Sequence, residues 1–463
     1  MRTFLYNLMA VLAIASEARA IGPDVIVGDL PSMTFYNTSS GGITGFSVGT
    51  TSCNAGDVPL RWFTEGNVPA GFPPEWTNQH PVIAQNLFRH RVVRGIGQFE
   101  QIGLSFVKHG YFALQGSLCY STCVPEEGGA FLGVRCSDPY SAGLNGSQGR
   151  LGPRSQINAF TGDFPYPYSA AALPTEPPLR DLHLRGQTLD TDLLPDLNPG
   201  AVYFVEGHYV SPDDAQSGNG TNNNTFRRLN VAYQPLNGNF TGGVTGAVQR
   251  QRAAIYAWQD LDPQVRIEVA DVPGEGRFLV ASRATPLAGG RWAYEYAVQN
   301  INSHRSAAGF LVPLPVCGPA TAPGFHDVFY HSGETYSGAD WSVLTTPDQV
   351  SWSTEPFGVN PNANALRWGT LYNFRFESVA APAPSIARLQ LFRPGTPTSI
   401  DVPVIAPAMC LCRADVDGDG DTDSDDIVVF FTTWDIGERD YNSSGATDSD
   451  DIIAFFQDFE TGC

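Results

Sequence analysis

Of the 463 residues only one is lysine, Lys108, against 26 arginines, and no basic cluster forms along the chain. That absence excludes the electrostatic footprint of a nucleic-acid binder. After the first 20 residues no apolar run reaches the roughly 18 residues that cross a bilayer, so no membrane span is expected. Sustained helical periodicity is nearly absent, apart from a stretch at Ala247–Leu261. Gly-x-Ser-x-Gly elbows, His-Glu-x-x-His helices and phosphate-cradling glycine loops are missing too, which takes the common hydrolase classes out of the front rank.

Acid, by contrast, is concentrated in one place. The formal net charge is −20, and from Arg413 onward 15 acidic residues face 2 arginines. The rest of the chain is close to ordinary. Residues 1–20 carry Arg2, a mostly apolar stretch from Leu5 to Ala15, and Ala18-Arg19-Ala20. This pattern predicts a secretory signal peptide and a secreted or cell-surface protein.

The acidic end holds two copies of one pattern, 25 residues apart, at Asp415–Asp426 and Asp440–Asp451. Oxygen-bearing side chains fall at loop positions 1, 3, 5, 9 and 12: Asp415, Asp417, Asp419, Asp423 and Asp426, then Asp440, Asn442, Ser444, Asp448 and Asp451. Glycine stands at position 6 of each loop, and position 7 (Asp421, Ala446) would offer a backbone carbonyl. A hard cation such as Ca2+ needs this spacing, because the glycine bend turns the side chains inward. Two ions are expected. Five carboxylates in the first loop against three in the second predict a weaker second site. Ile427, Phe430, Phe431 and Trp434 follow one loop, and Ile452, Phe455, Phe456 and Phe459 the other, at helical spacing. Two short helices sharing a small core are the expected result.

Paired loops ending in Asp and each followed by one short helix resemble a type I dockerin module. The closing Gly462-Cys463 is similar to a subgroup of secreted bacterial modules that end in Gly-Cys. The resemblance implies a C-terminal EF-hand-like docking unit over residues 410–463. It implies contact with a cohesin-like or cell-surface partner through positions 10 and 11, here Ser424-Asp425 and Ser449-Asp450. Those pairs depart from the commonest Ser-Thr pattern, so a partner other than cohesin is equally open.

Eight cysteines in a chain with an export signal favour disulfides. One of Cys410 and Cys412 is expected to bond Cys463, closing a loop of about 50 residues worth roughly 4 kcal/mol; the other would reach Cys317. Cys53, Cys119, Cys123 and Cys136 form a second group, with zinc as the minor alternative.

Residues 21–401 are rich in turn signals, aromatics and β-branched residues. Arg291–Val298 alternates strictly and reads as a strand half-buried in a sheet. Similar runs occur at Ala201–Val205, Gly276–Val280 and Leu371–Phe376. The expected fold is mainly β, a sandwich-type body with a small all-α C-terminal module. Clustered prolines put a domain break near 180–200, and 402–409 reads as a stiff linker. Ser141–Gln156, Thr161–Pro178 and Ser211–Arg228 lack a strand pattern. Gly207–Asp214, Gly324–Val328 and Leu366–Thr370 resemble a group of uncharacterised secreted bacterial proteins, which implies a fold and no chemistry.

Two places in the body concentrate chemistry-bearing residues. His326, Asp327, His331 and Glu334 lie within nine positions; Asp327 and His331 are expected on one strand face and His326 on the other, so the group reads as hydrogen-bonded loop-rim residues ahead of a catalytic or metal site. Glu206 and His208 sit two apart, on one face, and read as an edge-strand ion pair ahead of an acid–base pair. The combined expectation is a secreted calcium-binding protein whose β body, glycan-binding or structural, is attached to an outside partner. The alternative is a polysaccharide-degrading hydrolase or lyase, which would need two carboxylates about 5 to 9 Å apart.

Overall fold

The computed structural model describes residues 20–149, 151–168, 179–315, 318–408, 413–418 and 422–461. The expected signal segment therefore lies outside the described residues except for Ala20, as do Cys317, Cys410, Cys412 and Cys463. The described residues form five antiparallel sheets, four of them packed through shared cores and the fifth a two-stranded pair of Leu60–Arg61 with Phe131–Leu132. The first is small: Val25–Asp29, Thr50–Asn54 and Ser137–Tyr140. The second follows the order Asn239–Gln249, Asn224–Gln234, Val202–Val210, Val82–Val93, Ile96–Ser105, Gly186–Leu189, Ile43–Val48, Met33–Ser40. It curls so far that Phe35 on one edge strand meets Phe240 on the other, ring centres 6.3 Å apart. The small sheet packs against its concave face, burying Val27, Phe46, Ile83, Val205 and Tyr209.

The third sheet runs Arg266–Asp271, Arg277–Pro286, Trp292–Asn300, Leu371–Ser378, Thr321–His326. The fourth runs Ser342–Thr345, Gln349–Ser353, Ala307–Pro313, Pro382–Leu391, Ser399–Pro407. Together they form a sandwich around Tyr294, Tyr296, Phe310, Trp352, Phe374 and Phe376. Each such side chain, fully buried, contributes about 2 kcal/mol of transfer free energy.

The strand at Trp292–Asn300 is buried on both faces rather than one. Tyr294, Tyr296 and Val298 turn toward the fourth sheet. Ala297 packs with Phe88 and Phe99 of the curled sheet, while Glu295 and Gln299 take polar partners there. Alternation of large and small residues records two different neighbours here, not core and solvent.

Three expectations need correction. The break near 180–200 falls on Gly186–Leu189, which is hydrogen-bonded between Ile96–Ser105 and Ile43–Val48 in the middle of one sheet. The passage between the curled sheet and the sandwich instead lies at 250–265, around the short helix Tyr256–Leu261. That helix is all that forms of the helical stretch at 247–261, because Asn239–Gln249 is a strand. The stiff linker is an edge strand, Ser399–Pro407, paired along Pro382–Leu391. Prolines 403 and 407 are tolerated there because an edge strand has one row of N–H groups to spare. Ser211–Arg228 is likewise structured, holding helix Pro212–Gln216 and the start of Asn224–Gln234.

Cysteine pairing in the body follows the disulfide expectation, not zinc: Cys53 bonds Cys119, and Cys123 bonds Cys136. No helix among the described residues is long and apolar enough to cross a membrane.

Candidate functional site

Helices Ser424–Trp434 and Ser449–Thr461 follow the two acidic loops. Phe430 stacks on Phe455 with ring centres 4.1 Å apart, and Ala414 and Tyr441 complete the buried centre. The remaining six apolar residues of the two stripes pack around it, partly buried. Trp434 Nε1 donates to the Asp448 carbonyl at 3.0 Å, tying the first helix to the second loop.

The loops share a hydrogen-bond plan. Asp426 accepts the Asp417 N–H at Oδ1 (3.2 Å) and the Asp423 N–H at Oδ2 (2.9 Å). Asp451 accepts the Asn442 N–H at Oδ1 (2.9 Å) and the Asp448 N–H at Oδ2 (2.8 Å). The carboxylate at position 12 thus reaches back across each loop to positions 3 and 9. Donation from Asn442, with that from Asp448, holds the Asp451 carboxyl below its ordinary range. Asp415 accepts the Gly418 N–H at 2.7 Å, and Asp440 accepts those of Ser444 and Gly445 at 2.9 and 2.7 Å. Gly418 and Ser443, both at position 4, have positive φ of 78° and 58°, and Gly445 has 91°. The Ser444 hydroxyl donates to the Ala446 carbonyl at 3.3 Å.

Ligand oxygens of Asp415, Asp417 and Asp426 lie within 4.8 Å of one another. Asp419, Gly420 and Asp421 lie outside the described residues. Both helix starts are exposed at Ser424-Asp425 and Ser449-Asp450. Val428 and Ile453, at matching places one turn further on, are 63% and 57% exposed.

The body residues nominated from sequence are dispersed. Glu206 and His208 lie on a central strand, flanked on both sides, and form no ion pair with each other. Glu206 accepts from Asn86 Nδ2 (2.8 Å), the Ala254 N–H (2.6 Å) and Gln299 Nε2 (3.1 Å), and burial raises its pKa. His208 sits edge-on to Trp368 at 5.6 Å, where burial lowers it to about 3. These two belong to the seam between curled sheet and sandwich.

His326 ends its strand, and no strand follows through Asp327 and His331, so the face argument does not apply. Asp327 is held by Asn364 Nδ2; His331 places its ring nitrogens 2.8 Å from the Ser332 and Arg185 carbonyls; Glu334 accepts the Arg154 N–H at 2.5 Å. Each residue is engaged separately, as hydrogen-bonded loop-rim residues are.

All four nonetheless line one cavity of about 490 Å³, shared with Asp192, Gln101 and Tyr336. Burial raises Asp192 and pushes Asp327 up to about 6. Behind the cavity, Glu100 is fully buried and accepts from Arg89 (2.7 Å), Arg91 (3.2 Å) and Arg375 (3.3 Å). Burial works against its charge, but His326, Arg89 and Arg91 outweigh it and hold the carboxyl at about 2. Arg154, also buried, donates to the carbonyls of Ser105, Gln85 and Gly369, stitching the curled sheet to the sandwich. No spacing signal in the sequence marks these residues, because strands far apart in the chain supply them. Chemically, the cavity offers the Asp327 carboxyl, at about 6, for proton exchange near neutral pH, beside an Asp192 carboxyl that burial raises.

No protein-family model and no curated protein matches the chain.

Proposed function

We propose that the two acidic loops bind calcium and make the C-terminal helices a dockerin-like unit that attaches the β body to a cohesin-like or cell-surface partner outside the cell. The observation that carries this reading is the repeated reach of Asp426 and Asp451 to positions 3 and 9 of their loops. Two loops with different side chains at positions 2, 3, 4, 5 and 7 share a plan because both wrap one centre, as hard-cation loops do. Exposed Ser-Asp pairs with Val428 and Ile453 beside them give each helix start the same face for docking. Two disulfides in the body fit an oxidising compartment. Calcium titrated calorimetrically into chelator-treated full-length protein should give two unequal events, the first loop binding tighter. Asp426→Ala should remove one event and Asp451→Ala the other. Absence of any calcium heat at millimolar concentration would sink the reading.

A second reading, polysaccharide hydrolysis or cleavage, is favoured by the cavity that Asp192 and Asp327 share. Reducing-end release from soluble polysaccharides, abolished in Asp327→Asn, would establish it.

A further inference from the structure

The body carries a second cavity, of about 530 Å³, lined by Asn67, Tyr111, Phe112, Gln148, Tyr166 and Glu65 among others. We propose that it is a saccharide subsite, in which a pyranose ring lies against Phe112. This stands apart from the calcium loops and from the Asp192–Asp327 cavity.

Phe112 has φ of 61°, in the left-handed region, which costs a bulky residue of order 1–3 kcal/mol. Burial does not offset that cost, because Phe112 is 56% exposed. A Cβ at Gly129 would lie 2.7 Å from the Phe112 ring, so the ring rests on bare backbone there. The Ala113 N–H donates to the Gly129 carbonyl at 2.8 Å, and the Cys53–Cys119 and Cys123–Cys136 bonds pin the same loop. A strained, exposed and rigidly held aromatic ring is a platform for a ligand with a flat apolar face.

The rest of the lining selects among such ligands. Tyr111 is 41% exposed and Tyr166 half-buried, and neither phenol hydroxyl makes a hydrogen bond among the described residues. Gln148 is fixed by two bonds to the His109 backbone, 2.6 and 2.9 Å. Asn67 is fixed by the Thr64 N–H at 2.6 Å and the Trp62 carbonyl at 3.0 Å. Each amide retains one N–H and a lone pair beyond these bonds. Among the described residues Glu65 is the only formally charged side chain in the lining. Neutral amides and phenols around an aromatic platform match a ligand with an apolar ring face and a rim of hydroxyls. That is a pyranose. The volume, within the range of small-molecule sites, holds more than a simple ammonium head group.

The test is calorimetric titration of the full-length protein with neutral hexasaccharides of β-1,4-glucan, β-1,4-xylan, β-1,4-mannan and α-1,4-glucan, and with tetramethylammonium. At least one hexasaccharide should bind, and Phe112→Ala should weaken it about tenfold or more. Phe112→Gly, which relieves the strained φ, should unfold no earlier than the parent yet lose the same affinity. Phe329→Ala, on the other cavity, should leave binding unchanged. The proposal is overturned if no hexasaccharide binds at millimolar concentration, if Phe112→Gly binds as the parent does, or if tetramethylammonium alone binds.

Discussion

The β body and the C-terminal helix pair solve the problem of polar groups in opposite ways. In the body, polar side chains are buried between the curled sheet and the sandwich, and several are bonded there to protein partners. Gln101 bonds Leu371 and Gly369, Asn373 bonds the Phe99 carbonyl, and Glu100 gathers three arginines. In the C-terminal pair the carboxylates of Asp415, Asp417 and Asp426 face one another in the first loop, over a buried centre of Ala414, Phe430, Tyr441 and Phe455 among the described residues. The first arrangement sets Glu100 against arginines; the second brings like charges together in the first loop. Stability intrinsic to the body therefore contrasts with stability that a cation would supply in the helix pair.

The largest effect should come from breaking the body's seam. Glu100→Gln leaves three arginines around a neutral group in a dry layer, and should cost about 4 kcal/mol. Chemical denaturation of the full chain would show the body transition moving while calcium binding survives. Next, Phe430→Ala removes half of the stacked pair and should cost about 3 kcal/mol. With so small a centre, that loss should open residues 413–461 to protease while the body stays resistant. Calcium at a hundred times its dissociation constant should then protect that segment in the parent by about 2.7 kcal/mol per site, with no shift in the body transition. A calcium-dependent shift of the body would dissolve the contrast.

The same contrast governed what could be read in advance. The loop ligands and helix stripes lie within 50 consecutive residues, so spacing alone places Asp426 opposite Asp417 and Phe430 against Phe455. Strands such as Trp292–Asn300 were legible as strands, because alternation is local. Their second buried face was not, because Ala297 and Gln299 look like solvent-side residues until a further sheet covers them. Glu206 and His208 misled for that reason: two polar residues on one strand suggest an edge, whereas here they mark a seam. Pro403 and Pro407 suggested a linker because proline usually ends pairing, yet an edge strand accommodates them. The Phe112 cavity depends on a backbone angle, which no residue pattern encodes.

His208 offers the finest discrimination, since its effect at neutral pH should be close to nil. Burial, helped by Arg154, lowers its pKa from 6.5 to about 3. An unfolded chain therefore takes up a proton between pH 6.5 and pH 3 that the folded chain refuses. Stability is intact above pH 6.5 and is lost as pH falls through that window. His208→Phe keeps an aromatic ring beside Trp368 and removes the titration. The variant should match the parent at pH 8 and unfold at higher denaturant than the parent at pH 5. The carboxyls of Asp138 and Glu295, raised by burial to about 7, work in the opposite direction over the same range, so the comparison must be between variant and parent at each pH. A parallel displacement of the two curves at every pH would mean that His208 acts through packing alone, and that the seam tolerates charge better than its dryness implies.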